Sequence, residues 1–348
     1  MDATMTAYRL PGWHQRPQFE EVPVPRPAAG QILVKVAGNG LCHSDIGMMH
    51  MDAVPDWQVP FTLGHEIGGW VAALGSGVQG FSEGDPVVVL CTSSDGTCPN
   101  CLRGHDNACL HSIAGRGYGR DGGMAPYVIV DRAQELIKLG SLDPLMAGPI
   151  TDAGSTSYHA VKRVLPKLDP GSTAIVIGAG GLGAFAVQYL KVLSPTRIIV
   201  IDSSAARRAY AVELGADQCF EALDHRTVEA VRDLTQGYGA EAVLDFVGID
   251  QSIETGLMLT RWFGSFALIG AGGGAFRKPL MAALPREAEI FTFLGGSRSD
   301  TLAAITLAEQ GKISVDVEIF TLSQAADAYS KMERGELRGR AVVQPGIW

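Results

Sequence analysis

The sequence predicts an α/β protein in two parts, an irregular β-rich first half followed by a doubly wound parallel sheet. Three observations carry that expectation. The 348 residues, 46% of them hydrophobic, exceed what one core usually serves, so two domains are expected. Gly supplies 43 positions, roughly 12% against an ordinary 7%, and only 19% of residues are charged. That describes a compact, turn-rich chain, neither disordered nor a coiled coil. Near Thr151 the texture changes from short strands broken by Gly and Pro to continuous apolar strands alternating with helical stretches.

In the first half QILVKVAG, IGGWVAALG, DPVVVL and MAPYVIV read as strands of a small barrel or sandwich with long functional loops. From Ser172 onward TAIVIG, RIIVID, AVLDFVG and GSFALIG read as buried strands joined by helical crossovers, as in a parallel sheet covered on both faces. Beyond Leu294 the rhythm weakens into a helix over 300–309, a short strand near 316–320, a second helix and the closing strand GRAVVQP.

With 28 basic and 37 acidic residues the net charge is -9. Such a surface repels phosphate backbones, which argues against a nucleic-acid partner. The opening MDATMTAYRLPGWHQRPQFEE has no apolar core behind a basic start, so no signal peptide is expected. The uncharged run from Gly171 to Leu190 has the length of a membrane span, but its interior glycines suit a strand, a turn and a helix better. A soluble, cytoplasmic protein is expected. Six Cys are too few for a disulfide scaffold, and three of them crowd between Cys98 and Cys109, which points to metal first.

The segment STAIVIGAGGLGAFAVQYL carries G-x-G-x-x-G as Gly178, Gly180 and Gly183, with Gly181 and Leu182 inside it, directly after a strand and opening a helix. Gly178 permits the tight turn, Gly180 lets backbone approach a pyrophosphate, and Gly183 lets helix and strand pack closely. The next strand, RIIVID, ends in Asp202, nineteen residues after Gly183, where an acid accepts hydrogen bonds from ribose hydroxyls. An acid there repels a 2′-phosphate, so NAD is favoured over NADP.

Two groups of metal-type donors precede this motif. Cys42, His43, Ser44, Asp45, His65 and Glu66 combine a thiol and imidazoles that suit zinc with nearby acids. Spacing does not say which distant acid completes that set. In DGTCPNCLRGHDNAC, Cys98, Cys101 and Cys109 have C-x2-C-x7-C spacing, a knuckle able to grip a closed structural zinc if a fourth ligand is found. Asp95 and Cys91 are both candidates for the fourth.

Taken together, GLCHSDIG, TLGHEIGGWVAALGSGVQGFSEGDPVVV, the cysteine loop, ITDAGSTSYHA, VIGAGGLG and GRAVVQP resemble the zinc-dependent alcohol dehydrogenases of the medium-chain dehydrogenase/reductase superfamily, over essentially the whole chain. The resemblance implies a GroES-like catalytic domain over 1–153, to which 295–348 returns, and a Rossmann dinucleotide-binding domain over 154–294. It implies Cys42 and His65 as catalytic zinc ligands, with Asp152 where many members have a third Cys. It makes Glu66 the acid that approaches zinc during ligand exchange, Asp45 the carboxylate orienting His65, Ser44 the hydroxyl receiving the alcohol proton, and His43 a residue near the cofactor phosphates. Asp202 and Arg207 match adenosine-side contacts, Thr156 and the GAGGG run after Ile269 line the nicotinamide, and Arg340 matches a pyrophosphate contact. Asp95, Cys98, Cys101 and Cys109 match the structural zinc ligands.

Two departures stand out. Asp95 replaces the usual first structural Cys, and Gly47 stands where some relatives carry the His that ends the proton relay. The expected reaction is NAD(H)-dependent interconversion of alcohols, secondary ones foremost, with ketones or aldehydes. Trp57, Tyr118, Phe293 and the Met48/Met49 pair are candidate pocket walls. A homo-oligomer, dimer or tetramer, is expected, with small-molecule substrates and no membrane partner. The competing readings are a zinc-free quinone or enoyl reductase, which would lack the Cys42/His65 pair, a catalytically silent relative, which would have lost ligands, and a zinc-ribbon nucleic-acid module, which would want a basic face.

Overall fold

The computed structural model describes residues 3–112, 115–276 and 284–347. The chain divides into two compact units, Met1–Ser155 with Gly295–Trp348, and Thr156–Leu294.

The first unit opens with β1 (Thr4–Leu10) and β2 (Gln18–Pro23), which form a small antiparallel sheet with β4 (Phe61–Thr62). Its main sheet contains β3 (Ile32–Gly40), β5 (Glu66–Leu74), β6 (Pro86–Val89), β7 (Tyr127–Val130) and β8 (Leu136–Lys138). The four runs read as strands in this half all lie in that sheet. Strands β1 and β2 were not anticipated, because β2 is almost wholly solvent-facing and has no apolar alternation to betray it. A core of Ile32, Val34, Val36, Ile67, Val71, Val87, Val89 and Val128 fills the inside of the main sheet.

Within this unit α1 (His43–Met49) follows β3 and the short α2 (Pro144–Ala147) comes after β8; α3 (Ala153–Val164) begins at the last residues of the Met1–Ser155 stretch and belongs mostly to the second unit. Residues Leu41, Met48, Phe61, Leu63, Met124 and Tyr329 make a second core beneath α1. Met48 is 1% exposed within it, so it is core and not a pocket wall.

The second unit is a six-stranded, wholly parallel sheet. Its strands are β9 (Thr173–Ile177), β10 (Arg197–Ile201), β11 (Gln218–Phe220), β12 (Ala240–Asp245), β13 (Thr260–Leu268) and β14 (Glu289–Thr292), in the order β11-β10-β9-β12-β13-β14. Every residue of β9 is buried, as expected for a central strand covered on both faces. The helices are α4 (Gly183–Leu193), α5 (Ala205–Glu213), α6 (His225–Leu234) and α7 (Asp250–Leu259). The strand order turns back at β9, so ligands of such sheets gather at its carboxyl end, where the glycine turn lies.

The chain then supplies α8 (Arg298–Glu309), β15 (Val317–Thr321), α9 (Ala325–Glu333) and β16 (Arg340–Gln344). Strand β16 pairs antiparallel with β3, Val342 opposite Gly40 and Val343 opposite Asn39, which returns the C-terminal segment to the first unit's main sheet. No helix among the described residues is long and apolar enough to cross a membrane.

Candidate active site and metal centres

The turn between β3 and α1 places the first donors. Cys42 is the N-cap of α1, and Asp45, three residues on, accepts its backbone N–H at 3.1 Å. The same Asp45 carboxylate accepts the Tyr329 hydroxyl from α9 at 3.0 Å and faces His65 Nδ1 at 3.2 Å. Asp45 and His65 are both fully buried. With Nδ1 held toward Asp45, His65 turns Nε2 to the other side, where it lies 3.5 Å from Asp152 Oδ2. The Cys42 thiol donates to that same oxygen at 3.3 Å, and the Cys91 thiol to Asp152 Oδ1 at 3.7 Å.

Cys42, His65, Glu66 and Asp152 thus bring one donor atom each within 4.8 Å of one another, from segments far apart in sequence. A tetrahedral zinc with bonds of about 2.0–2.3 Å sets its donors about 3.3–3.8 Å apart. The spacings around Asp152 Oδ2 fall in that window, and the set of one thiol, one imidazole and one carboxylate suits zinc. The residues fit the metal.

The electrostatics agree with a cation's place. Burial opposes ionisation of Asp152, but hydrogen bonding and charge from His65, with Arg340 and Cys42, outweigh it and hold the carboxyl well below its usual range. Burial, then the Asp152 charge, pushes the Cys42 thiol up. Burial lowers the His65 imidazole, yet Tyr118, Asp45 and Asp152 together carry it well above an ordinary histidine. Glu66 is driven up to about 7 by burial, against the pull of Arg340. Arg340 binds Glu66 and donates to the Leu41 carbonyl at 2.7 Å, while its Nε has no partner. Ser44 Oγ is 2.7 Å from the Tyr118 hydroxyl. His43 and Gly47 are exposed on the outer side of α1, and a Cβ at Gly47 would meet nothing within 4 Å.

In the second cluster Asp95, Cys98, Cys101 and Cys109 also converge within 4.8 Å. Cys98 Sγ is 3.4 Å from Cys101 Sγ and 3.9 Å from Cys109 Sγ, and all six cysteines are free thiols. Backbone N–H groups of Asp95 and Leu110 donate to the sulfurs of Cys109 and Cys98. Hydrogen bonds, that of the Cys101 backbone foremost, bring Cys98 down to about 7, whereas burial and its thiol neighbours send Cys101 up to about 12. Asp95 Oδ1 accepts from the Thr97 and Cys98 N–H groups at 2.8 and 2.9 Å, and Oδ2 meets His111 Nδ1 at 2.6 Å. Of the two candidates for the fourth position Asp95 is in the cluster. Cys91 lies instead beside Asp152.

The glycine turn of the second unit has the geometry the motif requires. Gly178 has φ +84°, and a Cβ on Gly183 would come within 1.9 Å of the Gly178 carbonyl. At Gly180 a Cβ would meet nothing within 4 Å, so that edge of the turn is open. Asp202, 7% exposed, accepts from Ala179 N and Ser204 N, each at 2.8 Å. Leu182 O accepts from Ser157, and Ile269 N donates to Asp245 O. Thr156 is buried on α3, and Gly181 is half-buried. Ser204 caps α5 by accepting the Arg207 backbone N–H, and the guanidinium reaching the Asp202 carbonyl, at 2.7 Å, is that of Arg208.

Comparison with known proteins agrees. Residues 28–141 match the alcohol dehydrogenase GroES-like domain, and residues 181–310 the zinc-binding dehydrogenase family. An NAD-dependent alcohol dehydrogenase of Sulfurisphaera tokodaii is 34% identical over 98% of this chain and all of that protein. The chain belongs to the zinc-dependent alcohol dehydrogenases of the medium-chain superfamily. The solved alcohol dehydrogenase of the hyperthermophilic archaeon Aeropyrum pernix is 33% identical, covers 98% of this chain and all of its own, and superposes with a TM-score of 0.91. The acetophenone reductase of Geotrichum candidum, solved in complex with NAD, is 27% identical with a TM-score of 0.87 over 99% of this chain and 98% of its own.

The candidate wall residues of this dehydrogenase are placed unit by unit. Trp57 and Tyr118 lie in the first, 5.9 Å apart between ring centroids, and Phe293 in the second, 4.6 Å from His159. Sequence reasoning missed the Tyr329 support of Asp45, the Cys91 contact to Asp152, the Ser44–Tyr118 pair and Arg208. Each joins residues whose spacing in the chain carries no pattern, so no sequence signal marks them.

Proposed function

We propose that this protein oxidises alcohols, secondary alcohols foremost, and reduces the corresponding ketones with NAD, around a zinc held by Cys42, His65 and Asp152. The convergence of those three donors in a buried pocket, at the spacing of a tetrahedral zinc, carries the reading. When bound, the metal supplies Lewis acidity toward the substrate oxygen, and NAD supplies the hydride acceptor.

The chain's own residues do the rest. Asp45, itself held by Tyr329 and the Cys42 N–H, fixes the His65 tautomer so that Nε2 is the free donor. Ser44 Oγ is the hydroxyl that exchanges a proton with the substrate oxygen. Glu66, in its buried pair with Arg340, stands ready beside the ligand set. Gly178–Gly183 and the α4 N-terminus receive the pyrophosphate, while Asp202 takes the adenosine ribose and disfavours a 2′-phosphate. Thr156 and the run after Ile269 serve the nicotinamide, and Arg207 and His43 the adenosine and phosphates. Trp57, Tyr118 and Phe293 wall the substrate. Asp95, Cys98, Cys101 and Cys109 hold a second, structural zinc.

Six free thiols suit a reducing cytoplasm. Trp262, Phe263, Ile290 and Leu294, exposed along the β13–β14 edge, suit burial in a homo-oligomer. Metal analysis with a panel of alcohols and ketones against NAD(H) tests the proposal. The expected result is zinc-dependent turnover lost on chelation and restored by zinc. Zinc-loaded protein inert toward the whole panel would refute it.

A further inference from the structure

We infer that Tyr118 is the positioning residue for Ser44, fixing which way that hydroxyl donates; the inference rests on the dehydrogenase reading above. Ser44 sits in the first turn of α1 and Tyr118 on the loop ahead of β7, yet their hydroxyl oxygens are 2.7 Å apart, the distance of a good O–H···O bond. Tyr118 is firmly placed. Its ring lies 4.5 Å from the His65 ring at 31°, and 5.9 Å from Trp57. Gly119 behind it packs so close under Trp57 that a Cβ would come within 2.5 Å of the indole.

The second neighbour of the Tyr118 hydroxyl is His65 Nε2, at 3.2 Å. That is the nitrogen turned toward Cys42 and Asp152, with Nδ1 facing Asp45. Once the Nε2 lone pair is committed to a metal and the ring proton sits on Nδ1, Nε2 neither accepts nor donates. The Tyr118 proton then goes to Ser44 Oγ. Ser44 has one hydrogen, and with Tyr118 donating to its oxygen that hydrogen is turned away from Tyr118, toward the reacting oxygen. Two hydroxyls in series polarise one another, so the bond from Ser44 strengthens as negative charge grows on the substrate oxygen. A serine hydroxyl is otherwise a free rotor. No proton leaves through Tyr118. Its hydroxyl sets the direction of Ser44.

A double-mutant cycle on the zinc-loaded enzyme tests this, with Tyr118→Phe, Ser44→Ala and the pair. Tyr118→Phe keeps the ring against His65 and Trp57 and removes only the hydroxyl. It should lower kcat about tenfold, with KM for the alcohol within about twofold and zinc content and NADH affinity unchanged. In the Ser44→Ala background the same change should cost less than about twofold, since there is no hydroxyl left to direct. In a Ser44→Thr background, which retains the hydroxyl, the cost of about tenfold should return. A binding readout stands apart from turnover. Isobutyramide, an amide shaped like a ketone, should bind the enzyme–NADH complex about tenfold more weakly after Tyr118→Phe, read by NADH fluorescence. Additive losses in the cycle, or unchanged kcat and amide affinity, would overturn the inference. Wild-type protein without NAD-dependent turnover would instead overturn the dehydrogenase reading beneath it.

Discussion

Replacing Asp152 should unmake the catalytic metal site while leaving the nucleotide fold alone. Its Oδ2 is the oxygen on which the Cys42 thiol and His65 Nε2 converge, at 3.3 and 3.5 Å, so Asp152→Ala removes one of three protein donors. A structural zinc is worth roughly 10–16 kcal/mol over four ligands, so one donor carries about 3 kcal/mol, somewhat over a hundredfold in affinity. Charge adds to this. Without the carboxylate, the cation loses a counter-charge in a dry pocket. Cys91 moderates the loss, because its thiol lies 3.7 Å from Asp152 Oδ1 and is a neighbouring donor. The Asp152→Ala Cys91→Ala pair is therefore the cleaner perturbation. Competition with a graded chelator, read by zinc release, gives the affinity, and NADH fluorescence gives cofactor binding. We expect the variant to release one zinc about a hundredfold more easily, with kcat falling alongside and NADH affinity unchanged. Asp152→Cys should hold the metal, since thiolate and carboxylate carry the same charge. An Asp152→Ala enzyme with full zinc and near-normal turnover would refute the assignment.

Asp95→Ala should lower thermal stability more than initial turnover, because it removes both a donor to the thiol cluster and the acceptor of the Thr97 and Cys98 N–H groups. Zinc measurement should find about two metals per subunit in wild type and about one in the variant; one metal in carefully prepared wild type, with Cys98 and Cys101 freely alkylated, defeats the structural site. Asp202→Gly should raise kcat/KM with NADP by removing the charge that opposes a 2′-phosphate, and a wild type that already prefers NADP strongly would contradict the cofactor reading. Asp224 caps α6 by accepting from Thr227 N at 2.9 Å, and that bond holds its carboxyl below the usual range. A depressed acid stabilises the fold above its unfolded pKa and stops doing so as pH falls through the folded one. Asp224→Ala should therefore melt below wild type at pH 7, with the gap closing as pH drops below about 4. A gap independent of pH would show that the charge plays no part.

The main elements of both units were legible because their patterns are local. Strand β9 is apolar at every position, and a Gly-rich turn directly after it leaves few alternatives. The two clusters of candidate donors near Cys42 and Cys98 were legible because zinc chemistry restricts residue types and spacing. Other features are set by tertiary packing. Strand β2 earns its place by pairing with β1 and shows no burial rhythm of its own. Strand β14, only four residues long and mostly exposed, is defined by its register against β13, with Phe266 opposite Ile290. Met48 reads as a candidate pocket wall in the sequence, but its side chain packs with Leu41, Phe61, Leu63 and Met124 in the core. Asp152 needed family likeness, since nothing in TDAGST alone marks a ligand.

Charge accounts for how a carboxylate could serve in the proposed zinc set at Asp152. The Cys42 thiolate and the Asp152 carboxylate together bring two negative charges, which a divalent cation cancels. Behind them Glu66 and Arg340 form a second set, both buried and bonded directly to one another. Asp45 is met by His65, the Tyr329 hydroxyl and the Cys42 N–H. Exchanging thiolate for carboxylate at Asp152 leaves the charge of the ligand set untouched, whereas a neutral residue there would leave one unit of positive charge on the metal and its ligands, with little water to screen it. Donor hardness can therefore vary at this position more freely than donor charge can. Asp152→Asn, nearly the same shape without the charge, should accordingly lose metal almost as Asp152→Ala does, and Asp152→Glu less; an Asn variant that retained zinc like wild type would show that shape, and not charge, holds the site.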